Sequence, residues 1–266
     1  MNRLIRSFSL ISLLLLTAGS VKALGVNLIA NQQQVEQTGL KNASNLIAQK
    51  AIIPQQSLYA ANKLKITVKE IAPYSQETEL QIITVFKHKP GGDTLISAAA
   101  DLDKDLGGLI TSIRDRGEFV GNELETFFII PPQNSIKPKL LLLIGLGDEQ
   151  NLSLDTMQRV GTVALRESVR LKATHVSFAP ILRDQNNATL DTGDVVKAVA
   201  QNVILAYDTE KRLQKQGLAQ SFIVREWVFE AGSAFYSGAI SNVRQAIKLT
   251  NTQIATRSAT PYVSGR

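Results

Sequence analysis

Cysteine is missing from all 266 residues, and histidine occurs only twice, at His88 and His175. The first absence removes disulfides, thiolate metal sites and thiol nucleophiles together, so stability has to come from apolar burial. The second leaves little imidazole for metal ligation or proton transfer. His88 sits among lysines at a strand end, His175 opens a strand, and surface or packing roles are expected for both. Ser153, Ser168 and Ser177 have neither an elbow motif nor a paired histidine, which argues against a serine hydrolase. Clusters of basic residues are also lacking. The formal charge is only +6, a balance that argues against dedicated nucleic-acid binding.

What the chain does have is 44% hydrophobic residues, enough for a substantial core. It opens with Arg3 and Arg6, an apolar stretch from Leu10 to Leu16, and small residues at Val21-Lys22-Ala23. That order reads as a cleaved secretory signal over residues 1–23, too short to hold a stable membrane span, and it places the mature protein in the periplasm or outside the cell. Cleavage removes three basic residues and no acid, which lowers the charge to +3. Residues 24–61 are rich in Gln and Asn, as in Asn31-Gln-Gln-Gln34, and read as a leader or linker that buries too little to offset its ordering entropy.

Regular structure is expected from Lys63. Leu64, Ile66 and Val68 alternate with Lys65, Thr67 and Lys69, the period of a strand with one wet face. Leu80 to Lys87 is a more central strand, ending at Lys89-Pro-Gly-Gly-Asp93. A helix from Leu106 places Leu106, Leu109, Ile110 and Ile113 on one face, with Gly107 and Gly108 in its first turn. A strand from Glu125 to Ile130 stops at Pro131-Pro132. Then come five consecutive aliphatics, Leu140 to Ile144, running into Gly145 and Gly147 and reading as a strand buried on both faces. Ser153 caps a helix carrying Met157, Val160 and Ala164. Thr174 to Ala179 is a strand, Val195 to Ile204 a helix, Phe222 to Phe229 the last strand with Trp227 in packing, and Ser233 to about Thr250 a helix. Interleaved strands and helices predict one α/β domain over 62–230, a mixed sheet between helix layers, with a connector helix and polar tail over 231–266.

Four passages in order carry a family likeness: Leu106-Gly-Gly-Leu-Ile-Thr-Ser-Ile113, Arg116-Gly-Glu-Phe-Val-Gly121, Lys139-Leu-Leu-Leu-Leu-Ile-Gly-Leu-Gly-Asp148, and the helix end at Leu165 to Leu171. Together they resemble the N-terminal domain of the M17 leucyl aminopeptidases. The resemblance implies a three-layer α/β/α, macro-domain-like fold, and a structural or assembly role in place of chemistry. In that family two divalent metals are held by a lysine, several aspartates and a glutamate in a C-terminal domain, within signatures such as Asp-Ser-Gly-Gly and Asn-Thr-Asp-Ala-Glu-Gly-Arg. Asn251-Thr-Gln-Ile-Ala-Thr-Arg257 shares only the first two residues and the last with the second signature, so no catalytic residue is carried over and no cofactor is expected.

The candidate ligand site is Gly107, Gly108, Gly145 and Gly147, where glycine loops meeting helix N-termini suit a phosphate. Turn and packing roles are the competing reading. Asp101, Asp103 and Asp105 alternate like a calcium loop but lack its central glycine and terminal glutamate. The function expected is therefore an exported, non-catalytic binding or assembly module, whose partner is a protein or a second copy of itself. The alternatives are a truncated or split part of a metal-dependent leucyl aminopeptidase and a macro-like binder of nucleotide derivatives.

Overall fold

A computed structural model describes residues 53–263; the expected signal and most of the expected leader lie outside the described residues. The strands are β1 (Gln55–Tyr59), β2 (Lys65–Glu70), β3 (Leu80–Val85), β4 (Thr126–Ile129), β5 (Leu140–Gly145), β6 (His175–Ala179) and β7 (Glu226–Ala231). The helices are α1 (Ser97–Asp105), α2 (Leu109–Asp115), α3 (Leu154–Arg170), α4 (Thr192–Lys215) and α5 (Ser233–Ala255). The strands form one sheet in the order β1-β2-β7-β6-β3-β5-β4. The inner five are parallel, and the two edges, β1 on β2 and β4 on β5, are antiparallel. This is the mixed α/β sheet expected from the alternation of elements.

The pleat sends alternate side chains to two cores. Ile66, Val68, Ile82, Leu142, Ile144, Phe178, Trp227 and Phe229 join α3, α4 and α5 in the larger one. Trp227 is fully buried, its ring centroid 6.4 Å from that of Phe178, as the packing reading required. Ile83, Val85, Leu141 and Leu143 face the other way, against α1 and α2. Helices α3 and α4 approach closely at Gly161, where a Cβ would lie 2.6 Å from the Val199 carbonyl oxygen. Ser153 caps α3 by accepting from the Thr156 amide, as its position before the apolar stripe predicts.

Three expectations shift. The sheet takes in Gln55–Tyr59, assigned above to the leader; this mostly polar strand is held by backbone pairing to β2 and by Leu58 against the larger core, and one packed aliphatic is too weak an apolar signal to mark a strand. The helix expected from Leu106 begins only at Leu109, and a helix that was not expected, Ser97–Asp105, precedes it; Gly107 and Gly108, at φ +71 and +78, link the two. Asp103 explains the restart: its carboxylate accepts from the Ile110 amide at 2.8 Å and the Thr111 hydroxyl at 2.5 Å, capping α2 in place of binding calcium. The third is α5. Expected as a connector, it runs on to Ala255 and buries Val243 and Ala246 in the larger core.

After α5 the chain is fixed by a buried carboxylate. Asp208 accepts from Arg212 Nε at 2.7 Å, Arg257 Nη1 at 2.7 Å and Asn62 Nδ2 at 3.0 Å. Burial alone would raise its pKa; the two guanidinium groups and the amide outweigh that and hold it below the usual carboxylate range. Asp208→Ala leaves two arginines facing an empty pocket and is expected to lower stability by about 3 kcal/mol in urea titration. The loss should shrink in acid, as pH falls through the lowered pKa of Asp208 and the wild-type carboxylate takes up its own proton.

Candidate functional site

The carboxyl ends of β2, β6 and β7 lie side by side along one edge of the sheet, and parallel α/β sheets form their crevices there. A crevice of about 470 Å³ opens at this edge. Its floor is Glu70, Ala179, Pro180 and Glu230 through Gly232; Ile71, Pro73, Ile181, Val196 and Phe235 supply apolar walls. Ser97, Thr192 and Ser233, the first residues of α1, α4 and α5, also line it. That volume and the mostly apolar lining suit a small molecule.

Two carboxyls in the crevice are perturbed. Glu230 is 7% exposed, its Oε2 accepts from Gln81 Nε2 at 2.9 Å, and its Oε1 has no hydrogen-bond partner. Burial pushes it up to about 8, against smaller opposing effects of Gln81 and of the Lys69 charge. Asp184 is also raised by burial, partly offset by the Ala99 amide at the start of α1. The one cation in the lining, Arg183, donates to the main-chain oxygens of Asn187 and Leu190 at 3.3 and 3.1 Å.

None of the four glycines expected to hold a ligand lines this crevice. Gly107 and Gly108 form the left-handed link between α1 and α2, with nothing within 4 Å of a Cβ built at either. Gly145 lies under the chain of Gly121 and Asn122, and Gly147, at φ +73, lies against Glu123. Nearby, His88 Nδ1 is 3.1 Å from Asp93 Oδ2, and Asp93 also accepts from the buried Arg114. Burial would raise the pKa of Asp93, and the Arg114 and His88 contacts bring it below the usual range. No motif in the sequence marks Glu230, Asp184 or Ser233 as site residues, although an acid directly after the apolar Trp-Val-Phe229 is a visible anomaly.

The two metals implied by the resemblance find no fitting donor set here: among the described residues no group of three or more His, Asp or Glu is placed to hold an ion. Asp93, Asp103 and Asp208, the buried or nearly buried aspartates, are already engaged by protein donors.

A seven-stranded mixed sheet between helices, with a crevice at its carboxyl edge, defines the macro-domain-like class of α/β proteins. The chain belongs to the cytosol aminopeptidase family: the model of that family's N-terminal domain matches residues 82–216. A probable cytosol aminopeptidase of Thermosynechococcus vestitus is 28% identical over 145 residues, 54% of this chain and 28% of that protein. One from Alkaliphilus oremlandii is 28% identical over 139 residues, 51% of this chain and 28% of that protein. The chain thus spans less than a third of the length of these relatives. Among solved structures, a tomato leucine aminopeptidase mutant superposes with a TM-score of 0.53 at 17% identity, covering 74% of this chain and 37% of that one. An Oceanobacillus iheyensis macrodomain with ADP gives 0.51 at 11% identity, covering 75% of this chain and all of that one. At those identities the structures establish the fold.

Proposed function

We propose that this chain is an exported, non-catalytic binding module built on the aminopeptidase N-terminal fold, with its ligand seat in the crevice at the carboxyl ends of β2, β6 and β7. The observation that carries the reading is Glu230, a nearly buried carboxyl on the crevice floor with an unpartnered oxygen. Burying such a group without a partner costs roughly 1 to 3 kcal/mol or more, a cost that a ligand supplying the partner removes. The Arg3-to-Ala23 pattern supports export.

A library of small acids, amines and neutral fragments, followed by amide chemical shifts, tests the seat. Shifts clustering at Ile71, Ile181, Val196 and Ala231 are expected, and shifts scattered over other surfaces would refute it. Cell fractionation with and without residues 1–23 tests export: the full chain should leave the cytoplasm and the shortened one remain there.

A second reading is a share in an aminopeptidase, favoured by the match to less than a third of each relative. It predicts hydrolysis of a leucyl chromogenic substrate with manganese when the chain is mixed with a catalytic-domain partner; no gain over the partner alone would dispose of it.

A further inference from the structure

We propose that Lys69 is a two-position counter-ion. While Glu230 holds its proton, Lys69 latches the strap of residues 71–79 through Gln76; in alkaline solution it turns onto the Glu230 carboxylate and frees the strap. No ligand enters this device, so it stands or falls apart from the crevice reading above.

Strand pairing brings the two groups together. Lys69 of β2 and Glu230 of β7 are register partners on parallel strands about 4.8 Å apart, so their side chains leave the same face of the sheet side by side. Opposite charges so placed attract. Here they do not meet: the Lys69 ammonium donates to Gln76 Oε1 at 3.3 Å, and Glu230 Oε1 is buried with no hydrogen-bond partner among the described residues. The second carboxyl oxygen accepts from Gln81 of β3 at 2.9 Å.

The strap is what Lys69 holds. Residues 71–79 carry the chain from β2 to β3 without a helix or strand. Gln76 is buried within it, and its Nε2 donates to the Glu77 main-chain oxygen at 2.9 Å, which leaves Oε1 to Lys69. The Ser75 amide donates to the Ala72 oxygen and the Lys137 amide to the Tyr74 oxygen. Those bonds do not involve Lys69, so its departure loosens the strap around Gln76 and leaves it attached. Ile71, Ala72 and Pro73, at the start of the strap, line the crevice, so the latch lies next to that wall.

Charge decides which acceptor holds the ammonium. A protonated carboxyl offers none, and the buried Gln76 oxygen then keeps Lys69. Burial holds the Glu230 proton up to about pH 8, against smaller opposing effects of Gln81 and Lys69. Once that proton leaves to solvent, an unpaired buried carboxylate costs more than an unpaired amide oxygen, and the ammonium supplies it with both a charge and a hydrogen bond. The other charged groups around Glu230 are Glu70 of β2, Glu226 further along β7, and Arg183 and Asp184 after β6. Lys65 engages Glu226 at 2.9 Å, and the Arg183 guanidinium is turned to main-chain oxygens. Among these described residues Lys69 is the cation able to answer the new charge.

The test is NMR on the full chain from pH 6 to pH 9, reading the Glu230 carboxyl carbon, the Gln76 side-chain amide, and backbone amide exchange corrected for its intrinsic pH dependence. The Gln76 signal is expected to move with the same midpoint as Glu230, near pH 8. Between pH 6 and pH 9 the Ser75 amide should lose at least about tenfold more protection than Leu142 and Leu143 of the core. In K69M the Glu230 midpoint should rise by about one unit or more, a tenfold gain in proton affinity, and the Gln76 inflection should disappear. In E230Q the strap should follow the core at every pH. A Gln76 signal that ignores Glu230, an inflection that survives K69M, or a Glu230 carboxyl that titrates in the ordinary range overturns the proposal. The coincidence of the two midpoints in wild-type protein decides the matter whether or not either variant folds.

Discussion

A methyl group at Gly145 is expected to cost about 3 kcal/mol or more, whereas one at Gly107 costs about 1 kcal/mol. The two glycines stand at comparable sequence positions, each at the edge of an apolar segment, but they do different work. At Gly145 a Cβ would lie 2.0 Å from the Asn122 carbonyl oxygen and 2.6 Å from the Gly121 carbonyl carbon. Both neighbours are backbone. They are held there because Leu124 N–H donates to the Gly145 oxygen at 2.9 Å and Gly145 N–H donates to the Glu125 oxygen at 2.7 Å. Neither can turn aside as the end of a side chain would, so the strand must shift. Gly107 has open space around it, and its only demand is φ +71. Urea unfolding of Gly145→Ala and Gly107→Ala measures both. Similar losses in the two variants would show that close approach at the end of β5 is not what selects glycine there.

The sheet's interior was legible because burial and pleat leave a mark on every residue. Leu64, Ile66 and Val68 alternate, Leu140 to Ile144 do not, and the structure buries the first set on one face and the second on both. Strand β1 left only a faint mark, since Gln55, Gln56 and Ser57 face solvent and Leu58 alone packs against the core, the rest being backbone pairing and the Ser57–Thr67 hydroxyl contact. The crevice was illegible for a different reason. Its floor depends on β2 lying beside β7, a pairing of Glu70 with Ala231, and β7 beside β6. Strand order across so wide a sequence separation is fixed by tertiary packing, and no local period encodes it. Glycine motifs are local signals, so they drew attention to turns; the acid that matters lies at a strand end whose neighbours were unknown.

Wild-type protein is expected to lose stability as pH rises from 5 to 8, and E230Q to lose much less. In the folded chain Glu230 keeps its proton up to about pH 8, while the unfolded chain releases it near the ordinary value of 4.5. Across that window the unfolded state binds fewer protons, so stability falls with pH, by at most about 1.4 kcal/mol per pH unit and on the order of 4 kcal/mol in all. Asp93, Asp208 and Glu226 act with the opposite sign: their pKa values are depressed, so their contribution is present at neutral pH and lost only in acid. Subtracting the E230Q profile from the wild-type profile, by chemical denaturation at pH 5, 6.5 and 8, isolates Glu230. A flat difference would mean that the carboxyl is solvated and carries no buried charge at pH 8. A falling difference has a further consequence. Glutamine keeps an oxygen for Gln81 and removes the charge, so it relieves the fold at pH 8.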